Sequence, residues 1–345
     1  MKSPLISVVI PMTRYEKELP EALASVFSQT YQNFEIVLVD NNATEGSRIV
    51  ANDWQVRNPD RIRIVREERK GASSARNRGI QESRGEFIAF LDSDDRMRPD
   101  RLTRQLDLIG SNKDIALIGS WFDEISSDGK NIVGKENKPS MPRWGKILFS
   151  GTPRWESEPF LEPQTSTYFF KRADALKIGM FDKNFDPFWL EDTDFSFRLY
   201  ELGRVRIVPE SLVEYRIHTQ TDSIRRIFDL GAVVNHNTFF LKLRDKYFER
   251  KSKDSRLRFN RLASRWMRES GIKLLYYKGG DVLGKELIGR SFRLNPLDPK
   301  NLETIARINL PKPFYPKAFG VSPQVQLALP EYATLEWAQG LFSLD

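Results

Sequence analysis

Three carboxylates, Asp92, Asp94 and Asp95, follow directly on the apolar segment 87–91. The length and apolar character of that segment predict a short buried strand. A parallel strand presents ligands at its carboxyl end, so the carboxylates are expected at one edge of a sheet. Neighbouring carboxylates repel each other unless a cation compensates them, and Mg²⁺ and Mn²⁺ bind such oxygens together with phosphate oxygens. The run therefore indicates a metal–diphosphate site, with an ordinary acidic turn as the alternative.

The composition limits the class of protein. With 345 residues, 40% of them hydrophobic, the chain is long enough for one large domain with an appendage, or for two domains. The absence of cysteine excludes disulfides, thiolate nucleophiles and cysteine zinc sites. No signal peptide or long apolar run is visible, so we expect a cytoplasmic protein without a transmembrane helix. The net charge of +7 suits an anionic substrate, a membrane surface or nucleic acid, and equally suits simple solubility.

Strand and helix patterns alternate through the first third of the chain. Apolar runs predict strands over residues 6–10, 35–39, 62–65, 87–91 and 115–118. Helical spacing predicts helices over residues 19–27, 47–54, 73–83 and 99–108. This order predicts an α/β fold in which a mostly parallel sheet is flanked by helices. Neither a Rossmann glycine motif nor a P-loop is present, which argues against those two nucleotide sites.

Five ordered blocks carry a family resemblance. They are residues 7–11, 23–31, 34–40, 71–80 and 85–95, and together they resemble family 2 glycosyltransferases over roughly the first 220 residues. The resemblance implies a GT-A fold, which is a Rossmann-like mixed sheet. It also implies transfer of a sugar from a nucleotide-diphosphate donor with inversion at the anomeric carbon.

The resemblance also implies a set of donor-binding residues. Asp40 is expected to contact the base, Arg76 the base or a phosphate, Asp92 the ribose, and Arg216 the departing diphosphate. The predicted donor-binding residues are Pro11, Thr13, Asp40, Arg76, Asp92 and Arg216. The alternatives are a turn-capping role for Asp40 and a solvated helix position for Arg76. Asn41 departs from the family, where a second aspartate is common, so UDP is only the favoured choice of nucleotide.

The Glu191-Asp192 pair precedes a predicted amphipathic helix and matches the family's base motif. Inverting transfer needs a general base for the acceptor hydroxyl, and we assign Asp192 to that role with Glu191 orienting the acceptor or a loop. The alternative is plain N-terminal capping. Asp94 and His218 match the family's metal ligands for Mn²⁺ or Mg²⁺, although a lone histidine is more often structural.

The character of the chain changes near residue 226. Helices are predicted over residues 228–248, 257–277 and 281–294, with a basic stretch over residues 244–261. The predicted domains are therefore a catalytic domain over residues 1–225 and a helical C-terminal extension over residues 226–345. The basic stretch suits peripheral contact with an anionic membrane that bears a lipid-linked acceptor, or is a solvated face. No nucleic-acid-binding motif is present.

The sequence as a whole predicts a metal-dependent inverting glycosyltransferase. It would transfer a sugar, most simply from a UDP-sugar, to a hydroxyl of a glycan or lipid-linked acceptor in cell-surface polysaccharide biosynthesis. A non-catalytic family member that binds nucleotide sugar or glycan is one alternative. A sugar nucleotidyltransferase is another, although no basic triphosphate loop follows the first strand.

Overall fold

The structure is a computed structural model that describes residues 3–110, 112, 114–140, 160–186, 190–218, 242, 253–275 and 281–308. The chain divides into two compact units, and the first comprises Met1–Pro142 and Gly151–Ser223. The second comprises Arg143–Ser150 and Ile224–Asp345. The predicted domain boundary at residue 225 lies outside the described residues and stays a prediction.

The described elements are numbered here in chain order. The strands are β1 Ile6–Met12, β2 Phe34–Asp40, β3 Ile62–Arg66, β4 Phe87–Phe90, β5 Arg96–Met97, β6 Ile115–Ile125, β7 Ile132–Asn137, β8 Phe169–Lys171 and β9 Arg204–Arg216. The helices are α1 Leu19–Phe27, α2 Glu45–Arg57, α3 Ala72–Glu82, α4 Arg101–Gly110, α5 Arg172–Lys177, α6 Glu191–Leu202, α7 Lys253–Leu274, α8 Asp281–Leu294 and α9 Pro299–Ile308.

The strands of the first unit form one mixed sheet in the order β3-β2-β1-β4-β8-β6-β9-β5, with β7 paired to β6. The four strands β3, β2, β1 and β4 run parallel, and Val8 of β1 lies between Ile36 of β2 and Ala89 of β4. Strand β8 runs antiparallel to β4 and to β6. The predicted α/β fold, a mixed sheet flanked by helices, is confirmed. Because β1, β2 and β4 are parallel, their carboxyl ends share one edge.

Strand β1 continues past Pro11, where the sequence analysis ended it. Pro11 pairs in register with Val39 of β2. Leu91 of the β4 side donates its N–H to the Val9 carbonyl, so alternate residues of β1 face β4. The pairing of β1 with β4 ends where Val9 lies opposite Phe90. Pro11 has no N–H to donate, but it lies past this last pair, so the strand pairing tolerates a proline there.

Three other boundaries differ from the predictions. Helix α4 begins at Arg101 rather than at Pro99, and β6 extends to Ile125 rather than ending at Ile118. A short strand-like run at residues 211–213 is part of the long strand β9, which pairs in parallel with β6. The length of these strands was hidden because β6 is partly exposed near its end and β9 is exposed in its middle, at Pro209 and Glu210.

Helix α3 is fastened to a segment that lies more than a hundred residues away. Asn77 donates to the carbonyl of Phe181 at 2.8 Å and accepts the N–H of the same residue at 2.8 Å. Asp186 accepts from the backbone N–H groups of Ser73 and Ser74 at 2.8 and 3.0 Å, so it caps the helix. Gly71 precedes the helix at φ 146°, and a Cβ there would lie 2.1 Å from Cγ of Asp186. Only glycine admits that carboxylate.

The second unit packs three described helices. Gly271 of α7 and Gly284 of α8 approach closely, and a Cβ on Gly271 would lie 2.7 Å from the Gly284 carbonyl oxygen. A buried polar network crosses the helices, in which Asn301 accepts from Arg268 at 2.8 Å and donates to Ser264 at 2.8 Å. The helix predicted over residues 281–294 is confirmed, and the one predicted over residues 228–248 lies outside the described residues apart from residue 242.

We expect Asn77→Ala to destabilise the protein by about 2–4 kcal/mol, because it leaves the buried N–H and carbonyl of Phe181 without partners. Urea unfolding measures the loss. Gln81→Ala is the control, since Gln81 is exposed on the same helix. Equal stability of the two variants would contradict this role of Asn77.

Candidate active site

The carboxyl ends of β1, β2 and β4 bring four of the six predicted donor-binding residues to one edge, namely Pro11, Thr13, Asp40 and Asp92. Asp40 ends β2 and is buried, accepting from the Ala43 N–H at 2.8 Å and from Nε of Arg48 at 2.8 Å. Burial alone would raise the pKa of Asp40, but these hydrogen bonds outweigh it and lower the pKa. Asp40 therefore caps its own turn, and each oxygen keeps one further lone pair for a ligand.

The contacts of Asn41 account for an asparagine at this position, where the family commonly has a second aspartate. Its amide donates to the carbonyls of Glu67 and Arg69 at 3.1 and 2.8 Å and accepts from the Gly71 N–H at 2.9 Å. A carboxylate would have no proton to give to the two carbonyls. Asn41 thus joins the end of β2 to the loop that leads into α3.

Pro11 and Thr13 lie at the end of β1 on the same edge. Pro11 is half-buried and Thr13 is exposed, and the Thr13 carbonyl accepts from the Thr44 N–H at 2.6 Å. Both residues thus lie on the predicted nucleotide edge, and a donor contact by either stays a prediction.

The acidic run follows β4 as predicted. Asp92 accepts from Nη2 of Arg76 at 3.3 Å and its side chain is 31% exposed. Asp95 is buried and accepts the Arg216 N–H at 2.9 Å. Burial, with the charges of Asp94 and Asp92, raises the pKa of Asp95 well above its ordinary value. The fully buried Arg101 offsets part of this charge, and burial lowers its pKa to about 9 against the effect of Asp95. Asp95 therefore has a structural role in holding the acidic run and is not exposed to bind a ligand.

Arg216 has a different position from the one expected of a diphosphate contact. Its side chain is only 1% exposed, and it donates to Glu21 at 2.6 Å, to the Asp94 carbonyl at 2.8 Å and to the Ser127 carbonyl at 3.2 Å. The guanidinium is thus enclosed by the protein. This geometry favours a structural role, in which Arg216 fastens β9 to the acidic run.

Asp94 and His218 lie together, as the predicted metal ligands should. The Nε2 atom of His218 is 2.6 Å from Oδ2 of Asp94. The imidazole stacks on the ring of Tyr15, with centroids 4.8 Å apart and planes at 16°. Within the described residues, no group of three or more acidic or histidine side chains could hold a metal ion alone. A carboxylate and an imidazole are nevertheless a suitable pair for Mn²⁺ or Mg²⁺ when diphosphate and water complete the shell.

Arg76 joins the acidic run to helix α6. It is buried, and its Nη1 donates to Oε1 of Glu191 at 2.7 Å while Nη2 reaches Asp92. The guanidinium also lies over the ring of Phe181, 5.6 Å from its centroid. Burial opposes the charge, but Asp92, Glu191 and Asp192 outweigh it and raise the pKa of Arg76. The solvated alternative for Arg76 is therefore wrong.

The Glu191-Asp192 pair occupies the first turn of α6, as predicted. Oδ2 of Asp192 accepts from the Thr165 hydroxyl at 3.0 Å, and Oδ1 accepts from the Thr193 N–H at 2.7 Å. The phenol of Tyr168 donates to the Asp192 carbonyl at 3.2 Å. Burial, together with the charge of Asp192, raises the pKa of Glu191 to about 7. Asp192 is thus fixed on both oxygens, which suits a positioned base.

Glu162 is a member of this cluster that the sequence analysis missed. Its backbone N–H donates to the Ser140 carbonyl at 3.1 Å, and its carboxylate accepts from the Thr193 hydroxyl. Burial and the charge of Asp192 raise the pKa of Glu162 to about 7. No motif or periodicity marked Glu162, because the segment before β8 has no regular pattern.

The chain belongs to glycosyl transferase family 2, whose model matches residues 7–177. It is 29% identical to EpsH of Bacillus subtilis, which is named as a glycosyltransferase, over 72% of this chain and 72% of the relative. It is 30% identical to EpsE of the same organism, also named as a glycosyltransferase, over 65% of this chain and 76% of the relative. The chain spans less than two thirds of two further curated relatives, 65% and 61% of their lengths.

A solved structure shares the fold. The crystal structure of residues 1–349 of TarS from S. aureus, in complex with UDP, matches with a TM-score of 0.50 at 16% identity. The match covers 91% of this chain and 89% of that one. At this identity the likeness concerns the fold alone. Within the described residues, no helix has the length and apolar character needed to cross a membrane.

The raised pKa of Glu191 predicts a pH dependence of stability. Its pKa rises from 4.5 to about 7 on folding, so the folded protein binds more protons than the unfolded chain between these values. The stability that Glu191 contributes is therefore fully present below its unfolded pKa and is lost as the pH rises through about 7.

The wild type should lose stability as the pH rises from about 5 to about 8. We expect this loss to be smaller in Glu191→Gln by on the order of 1–3 kcal/mol. Urea unfolding across this range measures it. Glu45→Gln is the control, since that side chain is 78% exposed. A pH profile of Glu191→Gln parallel to that of the wild type would contradict the assignment.

Proposed function

We propose that this protein is a metal-dependent inverting glycosyltransferase that uses a UDP-sugar. The observation that carries the proposal is the chain of contacts through Arg76, which joins Asp92 on the nucleotide edge to Glu191 beside Asp192. A candidate base and a candidate diphosphate site are thereby placed next to each other. UDP is favoured because a protein of the same fold was crystallised with UDP.

The donor would lie along the carboxyl edge of the parallel strands. Asp40 and Asp92 would accept hydrogen bonds from the base and the ribose, each through a lone pair that no described residue uses. Mn²⁺ or Mg²⁺, bound by Asp94 and His218, would neutralise the leaving diphosphate. Arg216 would keep this pair in place through the Asp94 carbonyl rather than contact the diphosphate.

Asp192 would take the proton of the acceptor hydroxyl as its oxygen attacks the anomeric carbon. The hydrogen bonds from Thr165 and Thr193 orient the carboxylate, so little reorganisation is needed on proton transfer. Glu191 is occupied by Arg76 and would set the position of the acceptor side rather than take the proton.

A glycan or lipid-linked acceptor, used in cell-surface polysaccharide synthesis, is part of the same proposal. Its support is the basic composition of residues 244–261, which would suit an anionic membrane surface. Half of those residues, 244–252, lie outside the described part of the chain, and peripheral membrane contact stays a prediction.

Asp94→Ala should weaken UDP binding in the presence of Mn²⁺ by at least about tenfold, because the ion loses its carboxylate ligand. Calorimetric titration of UDP with and without Mn²⁺ is the measurement. Asp100→Ala serves as the control, since Asp100 is 42% exposed and pairs with Arg104. Unchanged Mn²⁺-dependent affinity in Asp94→Ala would remove Asp94 as a ligand.

Asp192→Asn should retain UDP and Mn²⁺ binding but lose turnover by about 10²–10⁴-fold, because an amide cannot take a proton. The asparagine oxygen can still accept from the Thr193 N–H, so the local structure should persist. Release of UDP from UDP-hexoses and UDP-N-acetylhexosamines measures turnover.

The control for this variant is Asp194→Asn, which changes a carboxylate of the same helical turn that pairs with Arg198 instead. Turnover by Asp192→Asn at the level of this control would show that the base lies elsewhere.

A further inference from the structure

Glu162, Thr193 and Asp192 form a continuous chain of oxygen atoms. The Thr193 hydroxyl donates to Oε1 of Glu162, and the same hydroxyl oxygen lies 3.5 Å from Oδ1 of Asp192. The proton of this hydroxyl is directed at Glu162, so its lone pairs are available on the side of Asp192. A hydroxyl in this position can accept a proton from one carboxyl while it gives its own to the other.

Glu162 is not a helix cap, which would be the ordinary reason for a carboxylate near the start of α6. Within the described residues, its carboxylate accepts from the Thr193 hydroxyl and not from a backbone N–H of the first turn. Asp192 itself accepts the Thr193 N–H. The bridge between Glu162 and Ser140 fixes the Glu162 backbone, so the carboxylate is held at this position from its own side of the chain.

We propose that Glu162 receives, through the Thr193 hydroxyl, the proton that Asp192 takes from the acceptor. The inference rests on the proposed function, because it assigns the fate of the proton in that same reaction. It makes Glu162 the proton-accepting partner of the base, although Glu162 itself need not touch the substrate.

The proton transfer balances. The acceptor O–H bond breaks as its oxygen bonds to the anomeric carbon, and the diphosphate leaves with the electron pair of the broken C–O bond. Asp192 binds the proton and passes it to the Thr193 oxygen, which gives its own proton to Glu162. Asp192 is then again a carboxylate and Glu162 is a carboxylic acid, which loses its proton to water before the next cycle.

The charges around Glu162 suit this role. Asp192 of α6 and Tyr168 of the segment before β8 interact with its charge, and Arg76 and Glu191 interact with the charge of Asp192. The negative charge of Asp192, added to burial, raises the pKa of Glu162 to about 7, so near neutral pH the group both takes up and releases a proton.

The first test measures whether the two carboxyl groups are coupled in the free protein. Infrared titration of glutamate labelled with ¹³C, as the difference between wild type and Glu162→Gln, isolates the carboxyl of Glu162. We expect its midpoint to fall in Asp192→Asn, where the neighbouring charge is absent. An unchanged midpoint would overturn the proposal, whatever sugar the enzyme uses.

The second test measures turnover, as release of UDP from a panel of UDP-glucose, UDP-galactose and UDP-N-acetylglucosamine. Glu162→Gln and Thr193→Val should each lower kcat by about 10–100-fold, and the double variant should lose no more than either single one. Thr193→Ser restores the hydroxyl and should recover most of the turnover lost in Thr193→Val. UDP affinity with Mn²⁺ should be unchanged in all of them.

The outcomes separate this inference from the proposed function. Wild-type turnover in Thr193→Val, or additive losses in the double variant, would overturn the proton transfer through Thr193. Either result would leave the proposed glycosyltransferase function unaffected. Absence of wild-type turnover and of UDP binding would instead refute the proposed donor, and the infrared titration would still decide the coupling of Glu162 to Asp192.

Discussion

The buried guanidinium of Arg76 is the charge on which the arrangement of the candidate site depends. It lies between Asp92, which follows β4, and Glu191, which begins α6. Without it, the carboxyl groups of Asp92, Glu191 and Asp192 would face one another in a partly buried space without the cation that now lies among them. Their repulsion and desolvation would cost several kcal/mol. Lysine could not replace it, because one planar group must reach two carboxylates in different directions. Arg76 thus joins the carboxyl edge of the parallel strands to the first turn of α6, which are the proposed donor and acceptor sides of one site.

Arg76 can do this only because helix α3 is fixed to the later segment. Asn77, the next residue, pairs with both backbone groups of Phe181. Asp186 caps the start of the same helix, where Gly71 leaves room for it. These contacts hold α3, the helix that carries Arg76, against the segment 181–186. The pair of Arg76 with Glu191 then joins α3 to α6, and the ring of Phe181 packs against the guanidinium.

The sequence predicted the parts of the site that follow regular patterns. Asp40 and Asp92 come at the ends of apolar strands, so the hydrophobic pattern located both at the sheet edge, whereas Asp192 was chosen as the base from the resemblance to the family. The resemblance to a family located His218, which the structure places beside Asp94. Glu162 and the enclosed position of Arg216 could not be predicted in this way. Both depend on pairings between segments far apart in the chain, such as β9 with the acidic run, which no local period encodes.

The balance of charge differs between the two sides of the site that Arg76 joins. On the nucleotide side the ligand itself would bring negative charge, so that side needs cations, and Asp94 with His218 would recruit one. On the acceptor side, burial and the charge of Asp192 raise the pKa of Glu162 and of Glu191 to about 7, and Arg76 opposes this rise at Glu191. The excess of carboxyl groups around Asp192 raises the affinity of this part of the site for protons. Arg76 lies between Asp92 and Glu191, where it limits the repulsion between carboxylates without removing the basicity that the proposed deprotonation of an acceptor hydroxyl requires.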